Sequence, residues 1–405
     1  MNERHDQPFA AQRRSGTIDS TVYWKLDGAE AGVSFPAKHS GNDQDAITAA
    51  AAMLLEGETV AFPTETVYGL GADARNTSAV EAVFAAKGRP SDNPLIVHVA
   101  SREAVDVLVA EVHPVAEALM DAFWPGPLTV VLPVRPDVLS PLVTAGLDTV
   151  GVRMPDHPVA LALLRAAGCP VAAPSANRSG RPSPTTAAHV MEDLAGYIGG
   201  VLDGGAAGVG LESTVVQVRP DGTVAVLRPG GITAEQLAAV CGPGAVDAAP
   251  GAEVGFAADA GKAGAGRAGS VRAGGSPAPR APGMKYTHYA PQGWLGVVRG
   301  SSPLRVAETA AGLLQAAQRD GEVTGLLLFE EHRDLYPAVP AACVASLGSL
   351  SSPEEAGRSL YAALRRFDEA GATYILAEAC PETGLGAAIM NRLMKAAGGS
   401  VIDAV

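Results

Sequence analysis

The chain has 405 residues, 47% of them hydrophobic, which is more than one core usually organises and enough apolar surface for two ordinary domains. Thirty Lys and Arg against 43 Asp and Glu leave a formal charge of -13, which excludes a broad grip on a nucleic-acid backbone and leaves room only for weak or local RNA contact. Cys169, Cys241, Cys343 and Cys380 form no CxxC pair and no uncharged apolar run reaches spanning length, so the expectation is a cytoplasmic protein without zinc, disulfides or a membrane anchor.

Residues 1–42 mix charge, Gly and Pro without apolar periodicity and read as a flexible leader, apart from a short strand-like run at 21–24. Asn42 or Asp43 is placed to cap a helix over 45–56, with Ile47, Ala51, Leu54 and Leu55 on one face and Gly57 as its stop. A buried strand over 59–63 follows. Apolar runs at 95–99, 129–133, 150–152, 171–173 and 214–218 then alternate with helical patterns, which predicts an α/β domain over 43–245. Residues 242–282 are rich in Ala, Gly and Pro and cannot bury enough surface to fold, so 246–292 are assigned as linker and hinge. A linker of this kind sets the reach of whatever follows by chain flexibility. Strands at 295–298, 325–329, 342–347 and 373–376, with helices near 303–319, 353–370 and 385–397, predict a second, smaller α/β domain over 293–405.

The densest polar cluster is Lys87-Gly88-Arg89-Pro90-Ser91-Asp92-Asn93-Pro94, between a helical stretch and the strand that ends at His98. Two cations two residues apart in proline-stiffened turns suit a triphosphate, since fixed positive charge loses little entropy on binding. A lone Lys-x-Arg is more often a solvated turn, and a lone His98 more often a structural histidine; the shared context carries the functional reading. In Pro63-Thr64-Glu65-Thr66-Val67-Tyr68-Gly69-Leu70-Gly71, hydroxyls follow a buried strand and glycines allow close backbone approach; a Thr-rich turn with Glu65 as a cap is the equal alternative. Ser175, Asn177 and Ser183, with Arg178 and Arg181, crowd one Pro- and Gly-shaped loop able to hydrogen-bond phosphate and sugar oxygens, and Thr185 is placed to cap the helix beyond. A hairpin around Asp221-Gly222 brings Arg228 back beside Ser213. Arg153 ends a strand and can clamp a carboxylate in bidentate fashion, although any one of these arginines alone reads equally as a surface ion pair. No GxxxxGK[ST], GxSxG or HExxH occurs, which removes the P-loop, the serine-hydrolase elbow and the zinc protease.

Taken together, Pro63-Thr64-Glu65-Thr66-Val67-Tyr68-Gly69-Leu70, Lys87-Gly88-Arg89-Pro90, Asn93-Pro94-Leu95, Pro174-Ser175-Ala176-Asn177 and Glu212-Ser213-Thr214 resemble the YrdC-like family, in its order. Ala281-Pro282-Gly283-Met284-Lys285-Tyr286-Thr287-His288-Tyr289-Ala290-Pro291 resembles the hinge of its longer Sua5 type. The resemblance implies a twisted open α/β sheet with a cationic concave face, followed by a smaller Rossmann-like α/β domain. It implies the synthesis of threonylcarbamoyl-AMP and pyrophosphate from L-threonine, bicarbonate or CO2, and ATP. Other proteins then transfer the threonylcarbamoyl group to adenosine 37 of tRNA. By the same resemblance Thr66, His98, Arg153 and Ser213 form the threonine pocket. Lys87, Arg89, Asn93, Ser175, Asn177, Ser183, Arg228 and Tyr289 contact ATP, with Lys87 and Arg89 acting catalytically and Tyr289 closing over the nucleotide. Magnesium is expected to ride on ATP, since the sequence offers no carboxylate cage, and no protein metal ligand is assigned. Two other readings share the cationic concavity: a carbamoyltransferase working through carbamoyl-adenylate, and a non-catalytic double-stranded-RNA or ribosome-assembly module. The absence of CxxC modules weighs against the first, and the acidic chain against the second.

Overall fold

The computed structural model describes residues 21–26, 41–248, 288–336, 339 and 341–405. The N-terminal domain comprises β1 (Val22–Lys25), α1 (Gly41–Leu55), β2 (Val60–Phe62), β3 (Gly69–Asp73), α2 (Thr77–Lys87), β4 (Ile96–His98), α3 (Glu103–Asp106), α4 (Pro114–Phe123) and β5 (Leu128–Pro133). It continues through α5 (Pro141–Thr144), β6 (Thr149–Arg153), α6 (Pro158–Ala167), β7 (Val171–Ala172), α7 (Ala187–Leu194), β8 (Gly200–Asp203), β9 (Thr214–Val218), β10 (Val224–Arg228), α8 (Ala234–Cys241) and β11 (Val246–Asp247). The C-terminal domain comprises β12 (Trp294–Arg299), α9 (Pro303–Arg319), β13 (Thr324–Leu328), β14 (Cys343–Ser346), α10 (Pro353–Glu369), β15 (Tyr374–Glu378), α11 (Leu385–Ala396) and β16 (Val401–Asp403).

Among the described residues the first domain holds one mixed sheet in the order β1-β8-β2-β3-β7-β4-β6-β5-β9-β10-β11. Side chains alternate between its faces, and helices cover those faces unequally. Leu95, Val97, Leu128, Val130, Val150, Val152 and Val216 point to one face, under α4 and α8. On the other face α1 and α6 cover only the half around Val60, Phe62, Val171 and Ala173. The rest of that second face, with Ile96, Val131 and Val215 as a small apolar floor, is left open by the helices.

The second domain is a parallel sheet, β14-β13-β15-β12-β16, with α10 and α11 on one face and α9 on the other. Its α10–α11 core does not stop at the domain border, because Val67, Leu211 and Tyr289 belong to the same cluster. Gly210, at φ 75°, approaches the backbone so closely that a Cβ there would lie 2.4 Å from Arg358 Cα and 2.6 Å from the Gly357 carbonyl oxygen.

Three boundaries differ from expectation. The run at 21–24 is no stray strand within a leader: β1 extends the sheet parallel to β8, and Gly200 leaves the space that Trp24 fills. The helix expected from 45 starts at Gly41, so Asn42 and Asp43 lie inside it rather than capping it. Beyond 245, β11 still pairs with β10, because Gly242 and Gly244 at positive φ turn the chain back to the sheet edge. The rest of the expected leader, apart from 41–42, and linker residues 249–287 lie outside the described residues.

Candidate active site

The open half-face becomes a cleft lined by the segments that carry the polar motifs. Parallel pairing of β4 with β6 sets His98 directly beside Arg153. Gly151, where a Cβ would lie 3.1 Å from Thr129 Cγ2, keeps this part of the floor low. Gly71 has a structural reason of the same kind: a Cβ would stand 2.8 Å from Val171 Cγ1 and 2.9 Å from Phe62 Cε1. The turn after β2 and the loop after β7 form the walls, knitted by Tyr68 N–H to Pro184 O at 2.9 Å and Ala176 N–H to Tyr68 O at 2.8 Å. Among the described residues lining the cleft are five basic side chains, Lys87, Arg89, Arg153, Arg181 and Arg228, and one carboxylate, Glu212; Glu65 pairs with Arg153, and Glu192 and Asp193 with Arg181, from outside that lining. A wall of that charge suits a polyanion.

Helix α2 ends at Lys87 because Gly88 takes the left-handed conformation, φ 61°, and returns Arg89 N–H to Phe84 O at 3.0 Å. The Lys87 ammonium is buried and donates to the carbonyl oxygens of Ser175 and of Asn177, the latter at 2.6 Å. Burial, with Arg89 adding repulsion, lowers its pKa well below the usual lysine range. Asn177 staples its own loop: Oδ1 accepts from Ser175 Oγ at 2.6 Å, while Nδ2 donates to the carbonyls of Arg178 and Arg181, both at 2.8 Å. Arg89 keeps Nε buried without a hydrogen-bond partner, and burial brings its pKa to about 10, still protonated at neutral pH.

At the other end Arg153 donates from Nη1 to Thr66 Oγ1 at 2.9 Å, and its Nη2 lies 2.7 Å from Glu65 Oε2 without hydrogen-bond geometry. Glu65 thus pairs with Arg153 in place of the capping role open to it in the sequence. Burial, then Arg153, lowers the His98 pKa to about 3, so the imidazole is neutral, and its Nδ1 has no partner. A β-bulge between Val226 and Arg228 re-aims the Arg228 guanidinium, whose Nη2 donates to Ser213 O at 2.9 Å and Oγ at 3.1 Å. The Ser213 hydroxyl also shares a 2.7 Å hydrogen bond with Thr129. Tyr289, buried at φ 67°, enters the cleft from the hinge, and Ala290 N–H bonds Gly180 O at 2.9 Å.

Comparison with known proteins gives the family of the chain. The family model described as telomere recombination, covering the Sua5, YciO and YrdC proteins, matches residues 52–230. The model described as threonylcarbamoyl-AMP synthase, C-terminal domain, matches 232–398. A Bacillus subtilis threonylcarbamoyl-AMP synthase is 51% identical over 90% of this chain and 96% of its own length. One from Pyrococcus abyssi is 44% identical over 88% of this chain and 95% of its own. The crystal structure of Pyrococcus abyssi Sua5 complexed with L-threonine superposes with a TM-score of 0.79 at 40% identity, covering 95% of this chain and 99% of that one. The chain belongs to the Sua5-type threonylcarbamoyl-AMP synthase family.

For a Sua5-type synthase the structure sorts the expected site residues into groups. Thr66, His98, Arg153, Ser213, Lys87, Arg89, Ser175, Asn177, Arg228 and Tyr289 all line the one cleft. Ser183 and Asn93 do not: Ser183 is buried and donates to Glu212 Oε1 at 2.6 Å, and Asn93 is buried with neither amide atom hydrogen-bonded. The cap expected of Thr185 belongs to Thr186, whose hydroxyl accepts from His189 N–H at 3.3 Å. Glu212 was visible in its motif without an assigned role. Tyr361, Arg365 and Arg392 carry no motif at all, yet their side chains cross from α10 and α11 into the first domain. Arg365 meets Asp193 at 2.9 and 3.1 Å, and Arg392 Nε meets Glu212 at 2.7 Å. The second domain is therefore held by buried ion pairs, and not only by the tether that the sequence emphasised.

Proposed function

We propose that the chain forms threonylcarbamoyl-AMP and pyrophosphate from L-threonine, bicarbonate or CO2, and ATP, for threonylcarbamoyl modification of tRNA adenosine 37. The observation that carries this reading is the pairing, in one cleft, of a basic wall of Lys87, Arg89, Arg181 and Arg228 with a small pocket of hydroxyls around Arg153 and a neutral His98. Arg153 takes the threonine carboxylate, aided by Thr66 and Ser213, and His98 Nδ1 accepts a hydrogen bond from the amine. Addition of carbon dioxide at that nitrogen, with the amine proton lost to water, makes a carbamate, whose oxygen attacks the α-phosphorus of ATP and expels pyrophosphate.

An anion attacking a polyanion needs charge neutralisation and alignment more than a protein nucleophile. Arg89 and Arg228 supply the first. Lys87, Ser175 and Asn177 hold the loop that supplies the second, and Tyr289 covers the nucleotide. Magnesium enters with the triphosphate and shields its charge. The adenylate then passes to separate tRNA threonylcarbamoyl-transfer proteins. The test is pyrophosphate release by the purified chain with ATP and magnesium, omitting threonine or bicarbonate in turn and weighing the product. Release that needs both, with the mass of threonylcarbamoyl-AMP, is expected; turnover on carbamoyl phosphate alone, or none, would refute the proposal.

A further inference from the structure

Glu212 stands immediately before Ser213 in the cleft wall, and most of what fixes it comes from the other domain. Its carboxylate accepts from Tyr361 Oη at 2.7 and 2.9 Å, from Arg392 Nε at 2.7 Å and from Ser183 Oγ at 2.6 Å. Arg392 further donates from Nη1 to Pro229 O at 2.8 Å, next to Arg228, and keeps Nη2 buried without a partner. The same two residues grip the hinge. The Tyr361 ring lies 5.3 Å from that of Tyr289, and the Arg392 guanidinium lies 5.6 Å from the Tyr289 ring, within cation–π range. Tyr289 holds a left-handed backbone that a non-glycine residue keeps only where its surroundings impose it.

We propose that Tyr361 and Arg392 are positioning residues for the reaction, gripping Glu212 and Tyr289 so that docking of the C-terminal domain sets the geometry of the nucleotide end of the cleft. The proposal rests on the cleft's being the ATP site. Glu212 is the relay: it ties Ser183, Ser213 and, through the Ser213 backbone, Arg228 to two side chains that do not themselves line the cleft. Burial alone would push its carboxyl up, but Arg392, Arg228 and Ser183 outweigh that and hold it down at about 2, so it stays an anion that both donors can grip.

A double-mutant cycle on the full-length chain tests this, with ATP affinity by calorimetry and pyrophosphate release measured in parallel. Tyr361→Phe keeps the ring against Tyr289 and removes one donor; Arg392→Gln removes the charge; Glu212→Gln removes the relay. Tyr361→Phe and Arg392→Gln are each expected to weaken ATP binding about tenfold, as for members of one hydrogen-bond network, and to cost less than about twofold in the Glu212→Gln background. Losses that multiply independently of Glu212, or a folded Tyr361→Phe chain with unchanged affinity, would overturn the proposal. A merely structural pair would lower melting temperature without that dependence of affinity on Glu212. Wild-type chain that binds ATP but makes no product would refute the activity alone, leaving the affinity cycle to decide this proposal.

Discussion

His98 and Arg153 sit side by side at the ends of β4 and β6, and that neighbour, on top of burial, is what keeps the imidazole neutral. A histidine with a folded pKa of about 3 against an ordinary 6.5 binds fewer protons folded than unfolded between those values. Its contribution to stability is therefore complete above pH 6.5 and is lost as pH falls toward 3. His98→Asn should flatten that part of the melting-temperature profile, and the wild-type rate profile should carry no limb from His98 near pH 6.5. Lys87 and Arg89, two residues apart in one motif, divide their labour. Lys87→Ala strands the carbonyls of Ser175 and Asn177 and should cost about 1–3 kcal/mol in denaturant unfolding as well as activity. Arg89→Ala, which gives up one long 3.3 Å hydrogen bond from Nη2 to Pro94 O and an Nε without a partner, should cost less stability than Lys87→Ala and cut pyrophosphate release at least tenfold. The motifs made the residue types legible, but whether a cation faces ligand or props up a loop depends on contacts 88 to 90 residues away in sequence.

At the scale of elements, hydrophobic period carried most of the strands and helices, because alternation along β4, β5, β6 and β9 is dictated by a sheet with one covered face. What escaped was set by partners instead of by the segment itself. β1 is four residues long and is a strand because β8 offers it an edge and Gly200 offers Trp24 a hole. β11 is likewise recruited by β10 out of a Gly- and Ala-rich tract that lacks any apolar signature. Gly69 and Gly71, by contrast, were readable as sites of close approach, and what approaches Gly71 is Val171 and the Phe62 ring. Gly71→Ala would press a methyl against Val171 and the Phe62 ring, and an expected loss of about 1–3 kcal/mol can be checked by chemical denaturation.

Across the whole molecule, the expectation of two α/β domains joined by a long tether left their mutual contact invisible. Composition marks where a linker is expected; it cannot tell that Arg365 finds Asp193 or that Arg392 finds Glu212. Because the α10–α11 core includes Val67, Leu211 and Tyr289, the domains should melt in one calorimetric transition, and two separated transitions would contradict a shared core. Acid should loosen that union. With its folded pKa at about 2 against an ordinary 4.5, Glu212 gives stability that is complete above pH 4.5 and lost as pH falls toward 2, on the order of 3 kcal/mol. Glu212→Gln should remove that acid-sensitive part of the unfolding free energy.

The approach of Gly210 to the Gly357–Arg358 backbone has a heritable consequence. Most tight contacts between domains can be repaired when one side mutates, since a smaller side chain opposite makes room. Here the opposing surface is main chain, which no substitution can trim. The two halves of this gene are therefore not free to vary separately at that point, and recombining the catalytic half with a foreign C-terminal half requires a glycine at 210 and an equally bare stretch of helix to meet it.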